Sequence, residues 1–67
     1  MDSRRARLQL RVIETLMRVA RPADRKLMRP RAIEILEAVA VEIEPMADAD
    51  LTGLLAATRA EVERPDR

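Results

Sequence analysis

Few residues in this chain could perform catalysis, and none of them is a base placed beside a nucleophile. The sequence contains no Cys, no His, one Ser and one Lys. Nucleophilic catalysis needs an activated Ser, Thr, Cys or Lys next to a base, and Ser3 is better explained as a helix N-cap. Carboxylate pairs such as Glu34 with Glu37, or Glu42 with Glu44, are typical of solvated helix faces. We therefore expect a protein that is not an enzyme and has no small-molecule substrate.

The chain also lacks the usual ligands of metals and cofactors. Zinc and haem sites normally use Cys or His side chains, and the sequence has neither. Residues Asp48 to Gly53 resemble the first half of a calcium-binding loop, but the twelfth position, where such a loop has Glu, is Arg59. We expect no metal and no cofactor.

Charge is the chemistry that remains, and it is unevenly distributed. Residues 1–31 hold ten basic and three acidic residues, whereas residues 32–67 hold three basic and nine acidic ones. Helical spacing puts Arg4, Arg7, Arg11 and Arg18 on one face. This asymmetry indicates either a half that faces nucleic acid or two helices of opposite charge that neutralise one another within the fold.

Three helices would position these charges. Hydrophobic periodicity predicts them at about residues 4–20, 31–44 and 48–63. Pro22 and Pro30 bracket the segment between the first two helices, and each proline disfavours helical geometry in the residue before it. We expect this segment to be a connector.

The connector has two features with alternative interpretations. Its basic side chains form either a phosphate-binding loop or a solvated loop: Arg21, Arg25, Lys26 and Arg29. Leu27 and Met28 are expected to lie beneath the connector in the core. The alternative is an exposed pair that grips a partner.

The apolar surface of the first helix indicates self-association. Its apolar arc covers more than half of the circumference, and a helix this widely apolar needs neighbours on two sides. A chain of 67 residues without disulfides or metal has few other means of stabilisation. We therefore predict an all-α fold with a single domain, residues 1–67, whose helical bundle is completed by homodimerisation. The predicted dimer seam consists of Leu8, Val12, Ile13, Leu16, Ile33, Leu36 and Ile43.

The last predicted helix contains the most specific local pattern, DLTGLLAATRAEVER at residues 50–64. It resembles the helix-turn-helix core of Crp-type bacterial transcription regulators, in which a scaffold helix, a tight turn and a recognition helix follow one another. The resemblance implies that Leu51, Leu55, Ala57 and Val62 are core positions. It also implies that Thr58, Arg59 and Arg64 face DNA. The alternative is one uninterrupted helix, because alanine, which fills positions 56 and 57, is the best helix former.

These observations lead to two functional hypotheses. The preferred one is a non-catalytic protein-interaction module, such as an adaptor, inhibitor or assembly factor, that acts as a homo-oligomer. It would contact another protein through the arginine face of the first helix or the acidic face of the second. The rival is a small helix-turn-helix DNA-binding regulator. No segment approaches about 18 uncharged apolar residues, and the start of the chain has no apolar run of secretory length. We expect a cytoplasmic protein that does not bind membranes.

Overall fold

The computed structural model describes residues 3–65, which form three α-helices. Helix α1 spans Ser3–Val19, α2 spans Pro22–Ile43 and α3 spans Ala49–Glu63. A 3-10 turn, Glu44–Met46, connects α2 to α3. The bundle measures 35 × 17 × 16 Å. The prediction of a three-helix all-α fold is confirmed.

Helix α2 begins nine residues earlier than the sequence predicts, so the expected connector is wrong. Pro22 occupies the first helical turn, and Arg21 before it is extended, with φ −68° and ψ 156°. Pro30 lies inside the helix. It has no N–H to donate to the preceding turn, and an interior proline costs about 3 kcal/mol.

Tertiary contacts offset the cost of Pro30. The first two turns of α2 contain Arg25 and Arg29, which donate hydrogen bonds to carbonyl groups of the neighbouring helices. Met28 packs against the core, as expected, whereas Leu27 is 79% exposed and does not lie in the core. Arg25, Met28 and Arg29 lie three and four residues apart and therefore share one side of the helix, and their contacts with the rest of the bundle hold the segment helical.

The start of α3 follows directly from its capping residue. Ala47 adopts a left-handed conformation, with φ 49° and ψ 41°, which reverses the chain after the 3-10 turn. The Asp48 side chain then accepts hydrogen bonds from the backbone N–H groups of Asp50 at 3.0 Å and Leu51 at 3.2 Å. From Ala49 to Glu63 the helix is continuous. Of the two alternatives for this segment, a helix-turn-helix or one uninterrupted helix, the structure therefore agrees with the uninterrupted helix.

One chain encloses its own hydrophobic core. All three helices contribute side chains, and those of α1 and α2 recur at three- and four-residue spacing, as expected for the inner stripe of an amphipathic helix. The core residues are Ala6, Leu10, Ile13, Met17, Ala32, Leu36, Val39, Ile43, Leu51 and Val62. Three members of the predicted dimer seam, Ile13, Leu36 and Ile43, are therefore inside a single chain. Leu36 and Ile43 are wrongly placed between chains because α3 covers the inner sides of both other helices, whereas Ile13 also borders the surface between α1 and α2.

Candidate interaction surface

Three aliphatic side chains form a row on the outside of α1. Leu8, Val12 and Leu16 are 63%, 46% and 50% exposed. A spacing of four residues places each one above the next on consecutive turns. The broad apolar arc of α1 is thus covered on one side only, and the other helices leave this row, together with Val19 at 72% exposure, in contact with water.

An apolar cleft lies beside this row, between α1 and α2. It has a volume of about 180 Å³. Its lining is apolar apart from Arg31 and comprises Ile13, Leu16, Met17, Met28, Ala32 and Ile35. The small side chain at position 32 leaves space that the larger residues around it do not fill. The cleft is therefore a product of the local sequence as well as of the helix arrangement.

A second depression continues the cleft along α1. It is lined by Leu8, Gln9, Val12, Ile13 and Ile35. Both depressions and the aliphatic row belong to one surface, which we call the α1–α2 apolar face. We define it by Leu8, Val12, Leu16, Met28 and Ile35.

The sequence predicted this face in part. Three of its five residues, Leu8, Val12 and Leu16, belong to the predicted dimer seam, and all three are at the surface. Ile33, the remaining seam residue, is half-buried against the core. Met28 was not predicted to belong to this face because its segment was expected to be a connector. The signal that would have identified Met28 and Ile35 as part of the face is their seven-residue separation, which places them on the same side of a helix.

The arginines of α1 lie at the surface, next to the apolar face. Arg4, Arg11 and Arg18 are exposed, and Arg7 is half-buried. The guanidinium of Arg18 lies 3.4 Å from the carboxylate of Glu14, one turn earlier. The predicted basic face of the first helix is therefore accessible along most of its length.

The three residues predicted to face DNA from the last helix lie in three different environments. Thr58 is completely buried, and its hydroxyl donates a hydrogen bond to the Leu54 carbonyl oxygen at 2.8 Å. Its placement toward DNA is wrong because this turn of α3 packs against α1. Arg59 is half-buried. Arg64 is exposed, and its Nε and Nη2 atoms lie 3.2 and 3.1 Å from Oε1 of Glu61.

Arg25 lies in an environment that the sequence did not predict. Arg25 is 2% exposed. Its guanidinium donates hydrogen bonds to the carbonyl oxygen of Met17, and at 2.9 Å to those of Glu61 and Arg64. It also lies 3.4 Å from the Glu61 carboxylate.

Arg29 reinforces the same junction. Its Nε donates a hydrogen bond to the Val62 carbonyl oxygen at 2.9 Å. The last carbonyl groups of a helix have no partner within the helix, and these two arginines supply donors for those of α3 while Arg25 also reaches α1. Neither a phosphate-binding loop nor a solvated loop describes them. A buried arginine in an apparent loop gives no periodic signal that could have revealed this role.

Across residues 3–65, no three His, Cys, Asp or Glu side chains come together in a way that could hold a metal ion. None of the helices in that range has the length and apolar character required to cross a bilayer. Comparison of the chain with protein-family models, curated proteins and solved structures gives no match.

Proposed function

We propose that this chain is a non-catalytic protein-interaction module that binds a second copy of itself through the α1–α2 apolar face. The observation that carries the proposal is the row of three exposed aliphatic side chains beside an apolar cleft. Covering the exposed half of a Leu or Val side chain contributes about 1 kcal/mol. The six such side chains of a symmetric pair would contribute about 6 kcal/mol before the cost of association.

A second copy fits this face for two reasons. The face has both a ridge, formed by Leu8, Val12 and Leu16, and a cleft beside it. A two-fold symmetric interface brings the same patch of both subunits together, so the ridge of each chain can lie against the cleft of the other. The formal net charge is only +1, so no large overall charge opposes the approach of a second copy.

The carboxylate pairs also support a non-catalytic role. Glu34, Glu37, Glu42 and Glu44 are all exposed to solvent. Acid–base catalysis uses carboxyl groups held in a water-excluding pocket, whereas these four carboxyl groups are in contact with water. A cytoplasmic location is part of the same proposal.

Sedimentation velocity over a concentration series, from about 1 to 200 μM, tests the self-association. We expect the wild type to sediment as a dimer at the upper end and to dissociate on dilution. Val12→Asp places a charge in the centre of the α1–α2 apolar face, so this variant should be monomeric. It should keep its helical circular dichroism because Val12 lies outside the core. Leu27→Asp is the matched control, since Leu27 is also an aliphatic surface residue, 79% exposed, but lines neither depression.

Two results would contradict the proposal. The first is a wild type that remains monomeric at every concentration. The second is a Leu27→Asp variant that dissociates as readily as Val12→Asp, since the effect would then come from adding a charge anywhere on the surface. Ile13→Asp is a poorer test because Ile13 belongs to the core of each chain, and its loss would unfold the monomer.

The helix-turn-helix regulator stays a prediction without an observation that favours it over self-association. Within the helix-turn-helix-like segment, residues 50–64, the arginines available to DNA are Arg59, which is half-buried, and Arg64, which is already bonded to a carboxylate. A gel-retardation assay with Arg59→Ala tests it. Loss of retardation in that variant alone would favour the regulator.

A further inference from the structure

A second surface of α1 is a row of arginines beside the apolar face. Arg4, Arg11 and Arg18 are seven residues apart, and all three are exposed. Seven residues advance a helix by about 10.5 Å and nearly two turns, so the row is almost straight and roughly 21 Å long. At about 100° per residue, it lies roughly a quarter of a turn from the row of Leu8, Val12 and Leu16.

The electrostatic surroundings keep this row positive. Helix α1 contains five arginines and one acidic residue, Glu14. Glu14 forms a surface ion pair with Arg18 at 3.4 Å, in which the Arg18 side chain remains 62% exposed. Surface pairs of this kind contribute about 0–1 kcal/mol, so a stronger anionic ligand can replace the carboxylate.

Symmetry determines how two such rows would be arranged in the proposed dimer. If the two α1 helices pack antiparallel, the two-fold axis lies in the interface and perpendicular to both helices. Rotation about that axis puts the arginine rows of the two chains on the same side of the dimer, because each row is a quarter of a turn around α1 from the α1–α2 apolar face. The six exposed arginines of the two rows would then form one basic surface.

We propose that this surface binds the phosphate backbone of double-stranded nucleic acid without reading its base sequence, an inference that rests on the proposed self-association. Guanidinium groups bind phosphate oxygens in a bidentate geometry, and duplexes present phosphates at high density. The sequence has no aromatic residue on which the bases of a single strand could stack. It also has no Asn, and its one Gln, Gln9, is half-buried beside the cleft, so the row lacks the amides that read adenine.

Fluorescence anisotropy with labelled DNA duplexes tests this inference. Two unrelated sequences of about 20 base pairs should bind with equal affinity, and the affinity should fall steeply between about 50 and 200 mM salt. Arg11→Gln removes one charge from each row. It should weaken binding about five-fold or more and lower the salt slope by about two, one for each copy. Lys26→Gln, which removes an exposed positive charge from α2, is the matched control and should change affinity less than about two-fold.

The monomeric variant separates this inference from the proposed function. Val12→Asp retains the arginine row but places one row on each particle, so its salt slope should fall to about half of the wild-type value. A wild type that is dimeric but does not bind duplex at about 50 mM salt would overturn the inference and leave self-association intact. An unchanged salt slope in Val12→Asp would overturn the two-row surface.

Two competing ligands complete the test. Poly-L-glutamate represents an acidic protein surface, and vesicles of phosphatidylglycerol and phosphatidylcholine represent an anionic membrane. The inference predicts that duplex binds more tightly than either. Tighter binding to poly-L-glutamate or to the vesicles would refute the assignment to nucleic acid, as would duplex binding that depends on Arg59 and not on Arg11.

Discussion

Replacement of Arg25 by Met tests how the ends of the three helices are held together. The guanidinium donates to the carbonyl oxygens of Met17, Glu61 and Arg64 and lies 3.4 Å from the Glu61 carboxylate. Methionine fills a similar apolar volume but supplies no donor. The variant therefore removes the hydrogen bonds with the smallest change in packing.

The magnitude follows from which acceptors lose their partner. A hydrogen bond to a charged group contributes about 1.5–3 kcal/mol, and a buried acceptor left without a donor costs about 1–3 kcal/mol. The carbonyl of Arg64 lies at the exposed end of the chain segment and can bond to water, whereas the bond to Met17 is buried. We expect Arg25→Met to lower the free energy of unfolding by about 3–5 kcal/mol.

Urea denaturation followed by far-UV circular dichroism is the appropriate assay, because the chain has no Trp or Tyr to report by fluorescence. A domain of this size has a total stability of about 3–10 kcal/mol, so Arg25→Met should lower the urea midpoint by at least about 2 M. Arg25→Lys keeps the charge but not the planar set of donors, and should lose about half as much. All variants are compared at one protein concentration, since self-association would shift the midpoint.

Lys26→Met is the control, because Lys26 is the exposed neighbour of Arg25 on the same helix. Its free energy of unfolding should change by less than about 0.5 kcal/mol. The reasoning is refuted if Arg25→Met costs less than about 1 kcal/mol, or no more than Lys26→Met, since the hydrogen bonds at the helix ends would then contribute little.

Three further substitutions test other local arguments. Gly53→Ala should raise the free energy of unfolding by about 0.5–1 kcal/mol, because Gly53 is an exposed helical residue and a Cβ there meets nothing within 4 Å; a loss in urea denaturation would contradict this. Asp48→Ala should cost about 1 kcal/mol by removing the cap of α3, whereas Asp48→Asn should cost little; equal losses in the two variants would show that the cap is not responsible. Leu10→Ala should cost about 2–5 kcal/mol because Leu10 is fully buried, and a loss below about 1 kcal/mol would show that the core is loosely packed.

The sequence was sufficient where one signal dominated. Apolar spacing, with Leu36, Val39 and Ile43 on one side, predicted the second half of α2, and Asp48 is a capping residue type directly before the predicted third helix. These features depend on spacing and on local hydrogen bonds, both of which are present in the chain itself. Residues near in sequence determine them.

The start of α2 was missed because two rules about single residues were outweighed by distant contacts. Pro22 and Pro30 both indicate a boundary, but Arg25 reaches carbonyls 36 and 39 residues away in α3. No local pattern specifies which arginine will become buried, since an arginine is usually at the surface. The same limit applies to the cleft, whose α2 wall could not be identified before Met28 was known to be helical.

Because a single chain encloses its own core, self-association is not needed for folding. The sequence predicts a dimer because a single chain of this length has few means of covering its aliphatic side chains. Under that prediction, folding and association are one event. Of residues 3–65, ten apolar side chains are buried within one chain, whereas Leu8, Val12 and Leu16 remain outside. Association would then contribute binding and not the fold itself. Ile13→Asp should therefore unfold the chain, whereas the adjacent Val12→Asp should give a folded monomer, and a Val12→Asp variant that loses its helical circular dichroism together with its partner would show that the two events are coupled after all.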